Sequence, residues 1–540
     1  LSYNTSDNAS ALARKINNAQ RFFIEKTRLG IPIIPFDEAL HGLVRSDATS
    51  FPQSIAMAAT WDTTLIRQAT SHIAKECSVR GIKQILSPVI NLATDVRWGR
   101  TEETYGEDPF LTTQMGLAFV RSFESRGIIT TPKHFVANVG DGGRDSYPVH
   151  LSERALEETH FIPFKQTIQT GNARSMMTAY NSLNGTACSS NKWLLTEKLK
   201  NEWKFTGFVI SDANAVGGEL VLHRTAKDYA ESGAHAINAV MDVIFQTDVN
   251  HSSLFYPAFK NGLVDSNRLN DAVARVLRAK FELGLFEHPY IPEEIDEQAL
   301  HTEGKKLAQK VAGESIVLLK NEQNILPLSS DTKTIAVFGT DAVEARLGGY
   351  SGPGYQKVNI IDGIKEQAGK NTRILYSEGA NRSLDLFETI ESKYLESNGT
   401  PGLMAAYFDN PELDGTPVLE RRNEEINFHW TLYSPDEKLK ADHYSAHWTG
   451  ELIAPKSGKF QIGLEGNDGF RLYLNNKLLI DRWNKQSYHT DLVQYQFTKG
   501  EKYAIRVEFY ETQGEGKIRL IWNATVNTDW KKKIDESVKL

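Results

Sequence analysis

Cysteine is almost missing from this chain: Cys77 and Cys188 are the only two in 540 residues, too few for a disulfide framework or a cysteine-rich metal site. No apolar run reaches about 18 residues, so no helical membrane span is expected. A basic excess is lacking too. With 61 Lys and Arg against 68 Asp and Glu the net charge is −7, and no concentrated basic stripe offers a surface to nucleic acid or an anionic membrane. Small neutral partners suit this balance, and no motif asks for a cofactor or a metal. The chain opens on Leu1 rather than Met, which leaves room for a removed signal peptide; a periplasmic or secreted location is expected, with a cytoplasmic one left open. What is there is ordinary globular composition, 40% hydrophobic and 24% charged, and length for roughly three domains of about 150 residues.

From Gly30 to about Phe286, short apolar runs alternate with amphipathic stretches, which predicts parallel strands joined by helices, an α/β class. Strands are expected over residues 31–36, 85–92, 128–132, 175–180 and 207–211. Late in this region, NRLNDAVARVLRAKFELGLF sets Leu269, Val273, Val276 and Leu277 on one helical face, with Gly284 as terminator. Residues 287–305 are acidic, proline-bearing and weakly patterned, which suits a linker between domains. Another α/β stretch fills 306–397, where the strand KTIAVFG precedes a glycine-rich GGYSGPGY. GxGxxG is absent between that strand and its helix, so a close-approach turn is the simpler reading than a nucleotide cradle. Over 398–525, apolar and polar residues alternate between turn signals, the pattern of an all-β sandwich. Residues 526–540 resemble the start of an amphipathic helix, an apparently truncated return to the α/β domain, which makes the sandwich an insertion.

The ends of the apolar runs carry the reactive side chains: Glu38, Lys133 with His134, Tyr180 and Asp212. In a (β/α)8 barrel all strand C-termini open on one face, so such residues converge on one pocket. Taken singly, Asp212 could cap a helix and His134 could be a satisfied core histidine.

Six ordered motifs, EALHG (38–42), FPQSIAMAATWD, RWGRTEETYGEDP (97–109), KHF (133–135), MMTAYNSLNG and GFVISDA, followed by KFELGLFE and ESIVLLKN, resemble glycoside hydrolase family 3 over nearly the whole chain. The inserted module resembles the protective-antigen type of β-sandwich, through GLMAAYFDN, HWTGELIAPKSGKF, NDGFRLYLNNKLLIDRW and IRVEFYE. The resemblance implies a (β/α)8 TIM-like barrel over 1–286, then an α/β sandwich domain interrupted by the β-sandwich. It implies a retaining exo-β-glycosidase, most simply a β-glucosidase with β-xylosidase as the alternative, acting on β-linked oligosaccharides or aryl and alkyl β-glycosides such as those of cellulose or hemicellulose breakdown. A non-catalytic sugar binder and a phosphorylase are the remaining readings, and a homodimer is left open.

Residue by residue, the resemblance makes Asp212 the nucleophile, which must be ionised and close to the anomeric carbon. Glu38, Arg100, Lys133 and His134 would hold sugar hydroxyls through charge-assisted hydrogen bonds, Tyr180 would stand beside the nucleophile and Met177 would line the site. Arg97 and Trp98 are open between the site and an ion-pair network with Glu102, Glu103 or Glu107. Relatives that are glucosidases often carry Asp where Glu38 stands, and the longer side chain is similar to the xylosidases. The sandwich aromatics Trp448, Tyr473 and Trp483 could stack on sugars, with core packing the simpler role; its turn reads Asn467-Asp468 where some such sandwiches pair aspartates for calcium. The general acid/base stays unassigned. The family places it on the second domain after the sandwich, which puts it beyond Leu540; Glu314, Glu344 and Glu378 match no motif.

Overall fold

The computed structural model describes residues 7–247, 249–379, 386–430, 435–436, 438–439, 443–486, 488–512, 516–526 and 530–539. The chain divides into two compact units: Thr5–Pro327 with Arg346–Lys357, and Leu328–Ala345 with Val358–Leu540.

The first unit is α/β. Its short parallel strands are β1 (Phe36–Asp37), β2 (Gln84–Ile85), β3 (Ile129–Thr130), β4 (Ser175–Met177) and β5 (Phe208–Ile210). β2 pairs with both β1 and β3, and β4 with β5. Single bridges join Phe135 to Thr178 and Ile210 to Val243, a sixth strand position. Beyond it, the Phe245 ring packs edge-on against Phe36 of β1 at 5.5 Å, so the sheet curls back toward its first strand. The expected eight strands are therefore six parallel positions among the described residues. The ladders are also shorter than the apolar runs. Pro32 and Pro35 have no amide proton to donate, so pairing in the first run is confined to its end.

Helices pack around this sheet because their caps and apolar stripes coincide. Asp62 accepts from the amides of Thr64 and Leu65 to start Thr63–Val79, and Asp108 from Leu111 to start Pro109–Glu124. Their buried faces, with Ile73, Ala74, Phe119 and Phe123, join the main core. The expected face of Ser266–Glu282 is only partly covered: Leu269 and Val273 line an open groove with Phe255, Tyr256 and Phe259, while Arg268, Ala272 and Ala279 are the buried residues. Gly284 follows that helix at φ +65°, the left-handed turn that ends it.

The stretch read as a linker, 287–305, is tied to the same unit. Asn17 bonds both the amide and the carbonyl of Ile291, Ser10 accepts from the Ile295 amide, and Arg80 pairs with Glu297. Residues 298–305 are already helix, part of Gln298–Ser315, because Leu300, Gly304 and Val311 give it a buried stripe. Acidic composition hid these anchors.

In the second unit, Thr334–Phe338 and Arg373–Ser377 pair in parallel across the helix Ile360–Gln367, and a helix, Trp530–Val538, lies near the C-terminus. Between them is a two-sheet β module whose core holds Tyr407, Trp448, Phe470, Phe509 and Trp522. It begins earlier than residue 398, since Glu388–Thr389 pairs with Gly516–Trp522, Glu388 opposite Trp522. Trp448 is fully buried and donates to Asn423. Trp483 packs on Tyr510 and beneath Arg471.

Candidate active site

Four of the parallel strands deliver the residues that follow them to the same end. Glu38 follows β1; Lys133 and His134 follow β3; Tyr180 follows β4; Asp212 follows β5. Lys133 Nζ donates to Glu38 Oε1 at 2.7 Å, and Ser87 Oγ reaches Glu38 Oε2 at 3.3 Å. His134 Nε2 lies 3.4 Å from Asp212 Oδ2. Arg100 grips Glu103 through two bonds of 2.8 and 2.9 Å, leaving its remaining nitrogen for other partners.

Asp212 is held firmly behind. Its Oδ1 accepts from the Ala213 amide at 2.7 Å, while the Ser211 amide bonds Val243 O and the Phe245 amide bonds Ser211 Oγ. The nearest helix begins at Gly218, so Asp212 caps none. His134 is half-satisfied. Asn91 Oδ1 accepts from both its amide and Nδ1, and Asn91 Nδ2 donates to its carbonyl, which fixes the tautomer with the proton on Nδ1.

Burial dominates the charges. It pushes the Asp212 carboxyl above its ordinary range, against Lys133, Arg100, the Ala213 amide and the nearby Tyr180 hydroxyl, which all pull it down. Glu38 is pushed up to about 7, with burial outweighing Lys133 and with Asp212 and Glu103 adding to the rise. Burial, Arg100 and Lys133 together depress His134 far below the usual imidazole value, so its ring is neutral. Lys133 titrates above its ordinary value although burial opposes its charge, because Glu38, Tyr350 and Asp212 surround it.

Of the residues singled out in the sequence, Glu38, Arg100, Lys133, His134, Tyr180 and Asp212 come together. Met177 does not: it packs with Leu86, Ile129, Phe208 and Ile210 inside the sheet. Arg97 is exposed and pairs with Asp95 rather than with the neighbouring glutamates, and Trp98 is buried with its Nε1 on Asp145. Three contributors had not been singled out. Asn91 is the last residue but one of the second apolar run, close to the strand end as the others are. Ser87 lies in that run. Tyr350 arrives from the glycine-rich loop, its ring 5.1 Å from Lys133 Nζ; no local pattern marks it. Among the described residues no cluster of His, Cys, Asp and Glu is arranged to hold a metal ion.

The arrangement offers one carboxylate backed by fixed donors and ringed by groups able to hydrogen-bond to hydroxyls. Residues 4–279 match the model of the glycosyl hydrolase family 3 N terminal domain, and 399–536 that of the PA14 domain. A β-xylosidase of Formosa agariphila is 34% identical over 66% of this chain and 53% of its own length. A periplasmic β-glucosidase of Salmonella typhimurium is 34% identical over 66% of this chain and 48% of its own. The chain thus spans about half the length of these curated relatives. Among solved structures, a β-glucosidase from Kluyveromyces marxianus in complex with glucose superposes with a TM-score of 0.67 at 25% identity, covering 98% of this chain and 66% of that one.

Proposed function

Because the chain belongs to glycosyl hydrolase family 3, we propose that it is a retaining exo-β-glycosidase, a β-glucosidase in the first instance, that releases terminal non-reducing β-D-glucosyl residues with Asp212 as nucleophile. One observation carries the reading: Asp212 Oδ2 is buried at the strand ends without a hydrogen-bond partner, while Oδ1 is fixed by the Ala213 amide. In the first step Asp212 Oδ2 bonds to the anomeric carbon as the glycosidic C–O bond breaks and the leaving oxygen takes a proton. In the second, water attacks the same carbon, its proton is removed and Asp212 is released as the carboxylate. Glu38, Lys133, Arg100 and His134 hold the sugar hydroxyls, and Tyr180 stands beside the nucleophile. The proton donor of the first step is assigned to none of these residues.

The finer architecture we infer is a TIM-like barrel followed by an α/β sandwich domain into which a protective-antigen-type sandwich is inserted, and the substrates are short β-linked oligosaccharides or aryl and alkyl β-glycosides. A periplasmic or secreted location is supported by the Salmonella relative. β-Xylosidase is the second reading, favoured by Glu38: one methylene longer than Asp and held by Lys133 at 2.7 Å, it would occupy space that a glucose hydroxymethyl group needs.

The test avoids the unassigned acid. A 2-deoxy-2-fluoro β-glucoside or β-xyloside with a dinitrophenolate leaving group needs no protonation, and peptide mapping should find the sugar on Asp212. A label on any other side chain would refute the assignment, and the faster of the two reagents identifies the glycone.

A further inference from the structure

The loop 346–357 is far from the strands in sequence yet is built into the first unit. Its anchors all come from the segments around the site. Gln53 Nε2 donates to Leu347 O at 3.1 Å, the Gly349 amide donates to Glu102 Oε1 at 2.9 Å, and His41 Nε2 meets Gly349 O at 3.0 Å. Gly352 lies directly on the Arg45 backbone, where a Cβ would stand 2.6 and 2.7 Å from its N and O. Ser46 and Gly354 form a parallel bridge. Five attachments over eight residues hold the segment between them in one place.

That segment presents Tyr350. Its ring covers the ammonium of Lys133, the group whose other contact is Glu38, and the residue stays 38% exposed. Lys133, Glu38, Arg100 and Glu103 all lie near enough to act electrostatically on its hydroxyl. An ammonium has three protons. One goes to Glu38 and the aromatic face takes a second direction, which leaves the third for a ligand.

We propose that Tyr350 is a substrate-binding residue: it roofs the Lys133–Glu38 pair, aims the remaining ammonium proton at the sugar and offers its own hydroxyl to the same ring. This rests on the glycosidase reading of the site. The ligand class is the monosaccharide unit that Asp212 attacks.

The experiment is titration calorimetry of the whole chain with D-glucose and with D-xylose, alongside fluorosugar labelling of Asp212. Tyr350→Ala is expected to weaken binding of the preferred sugar by about ten-fold, the scale of one desolvated cation–π or charge-assisted contact. Tyr350→Phe keeps the ring over Lys133 and should recover part of that loss. Gly352→Val leaves Tyr350 intact but lifts the loop from Arg45, and should match Tyr350→Ala. Binding within two-fold of the unaltered protein in both Tyr350→Ala and Gly352→Val would overturn the proposal. So would a loss in Tyr350→Ala that Phe does not relieve and that tracks a lowered melting temperature. If the unaltered protein binds neither sugar and takes no label on Asp212, the glycosidase reading itself falls and takes this assignment with it; normal labelling beside unchanged variants sinks the Tyr350 assignment alone.

Discussion

His134 Nε2 and Asp212 Oδ2 face each other at 3.4 Å, both buried, and neither has a hydrogen-bond partner. Asn91 occupies the only proton on the imidazole, so two acceptors are turned toward one space. Such an arrangement is costly when empty and suits a ligand hydroxyl that donates there. Asn91→Leu frees the ring to adopt the other tautomer. Monosaccharide affinity should fall by about ten-fold, the scale of one lost orienting hydrogen bond. Calorimetry checks the affinity and 15N chemical shifts of the imidazole check the tautomer.

The raised titration of Asp212 has a direct consequence for stability. The folded state holds this proton more tightly than the unfolded chain does, so the contribution is full below the ordinary carboxylate range and is lost as pH rises through the raised value. Asp212→Asn never bears that charge. Its melting temperature should exceed that of the unaltered protein at pH 7 to 8, and the gap should close toward pH 4. An Asn variant that melts lower at pH 8 would contradict the burial argument.

Glu38 titrates near 7 in the fold, and hydroxyl binding uses its ionised form. Sugar affinity should therefore fall as pH drops from 8 to 6, with a midpoint near 7, and Glu38→Gln should flatten that limb. By the same linkage, the stability owed to Glu38 is complete below its ordinary pKa of 4.5 and disappears as pH rises through about 7.

Shortening the same side chain tests selectivity. Glu38→Asp withdraws the carboxylate by one methylene from Lys133, opening room beside the sugar. The ratio of kcat/KM on dinitrophenyl β-glucoside to that on the β-xyloside should rise by roughly ten-fold, the lower end of what one methylene achieves in a pocket. An unchanged ratio would remove Glu38 as the selector.

Directly behind His134, Phe135 is fully buried among Phe161, Phe164 and Trp203, at ring distances of 5.9, 5.2 and 5.6 Å. Phe135→Ala should destabilise the first unit by about 3–5 kcal/mol, seen in thermal or denaturant melts, and Phe135→Leu by much less.

The fold and the site were legible to different depths. Apolar runs marked the first five parallel strands but not the position at Val243, and the rule that their ends carry chemistry picked out Glu38, Lys133, His134, Tyr180 and Asp212, which the fold brings together. Applied to the second run, it would also have found Asn91. Met177 was placed at the site only by its position three residues before Tyr180, whereas its side chain packs among Leu86, Ile129, Phe208 and Ile210. Tyr350 was invisible for a different reason: its placement is set by contacts with residues about 300 positions away, such as His41, and glycines in its loop look the same whether they serve a ligand or a tight packing. The 287–305 stretch misled because composition reports solvent preference, whereas Ile291 and Leu300 are held by specific partners.

The strands that open and close the β module, Glu388–Thr389 and Gly516–Trp522, hydrogen-bond to each other. Entry and exit are therefore side by side, so the surrounding chain would need to bridge only an interstrand gap of about 5 Å whether the module is there or not. Adjacent ends of this kind would let the module be cut out without rerouting the flanking chain, and replacing residues 388–522 by a two- or three-residue turn is the direct way to test whether it is an insertion.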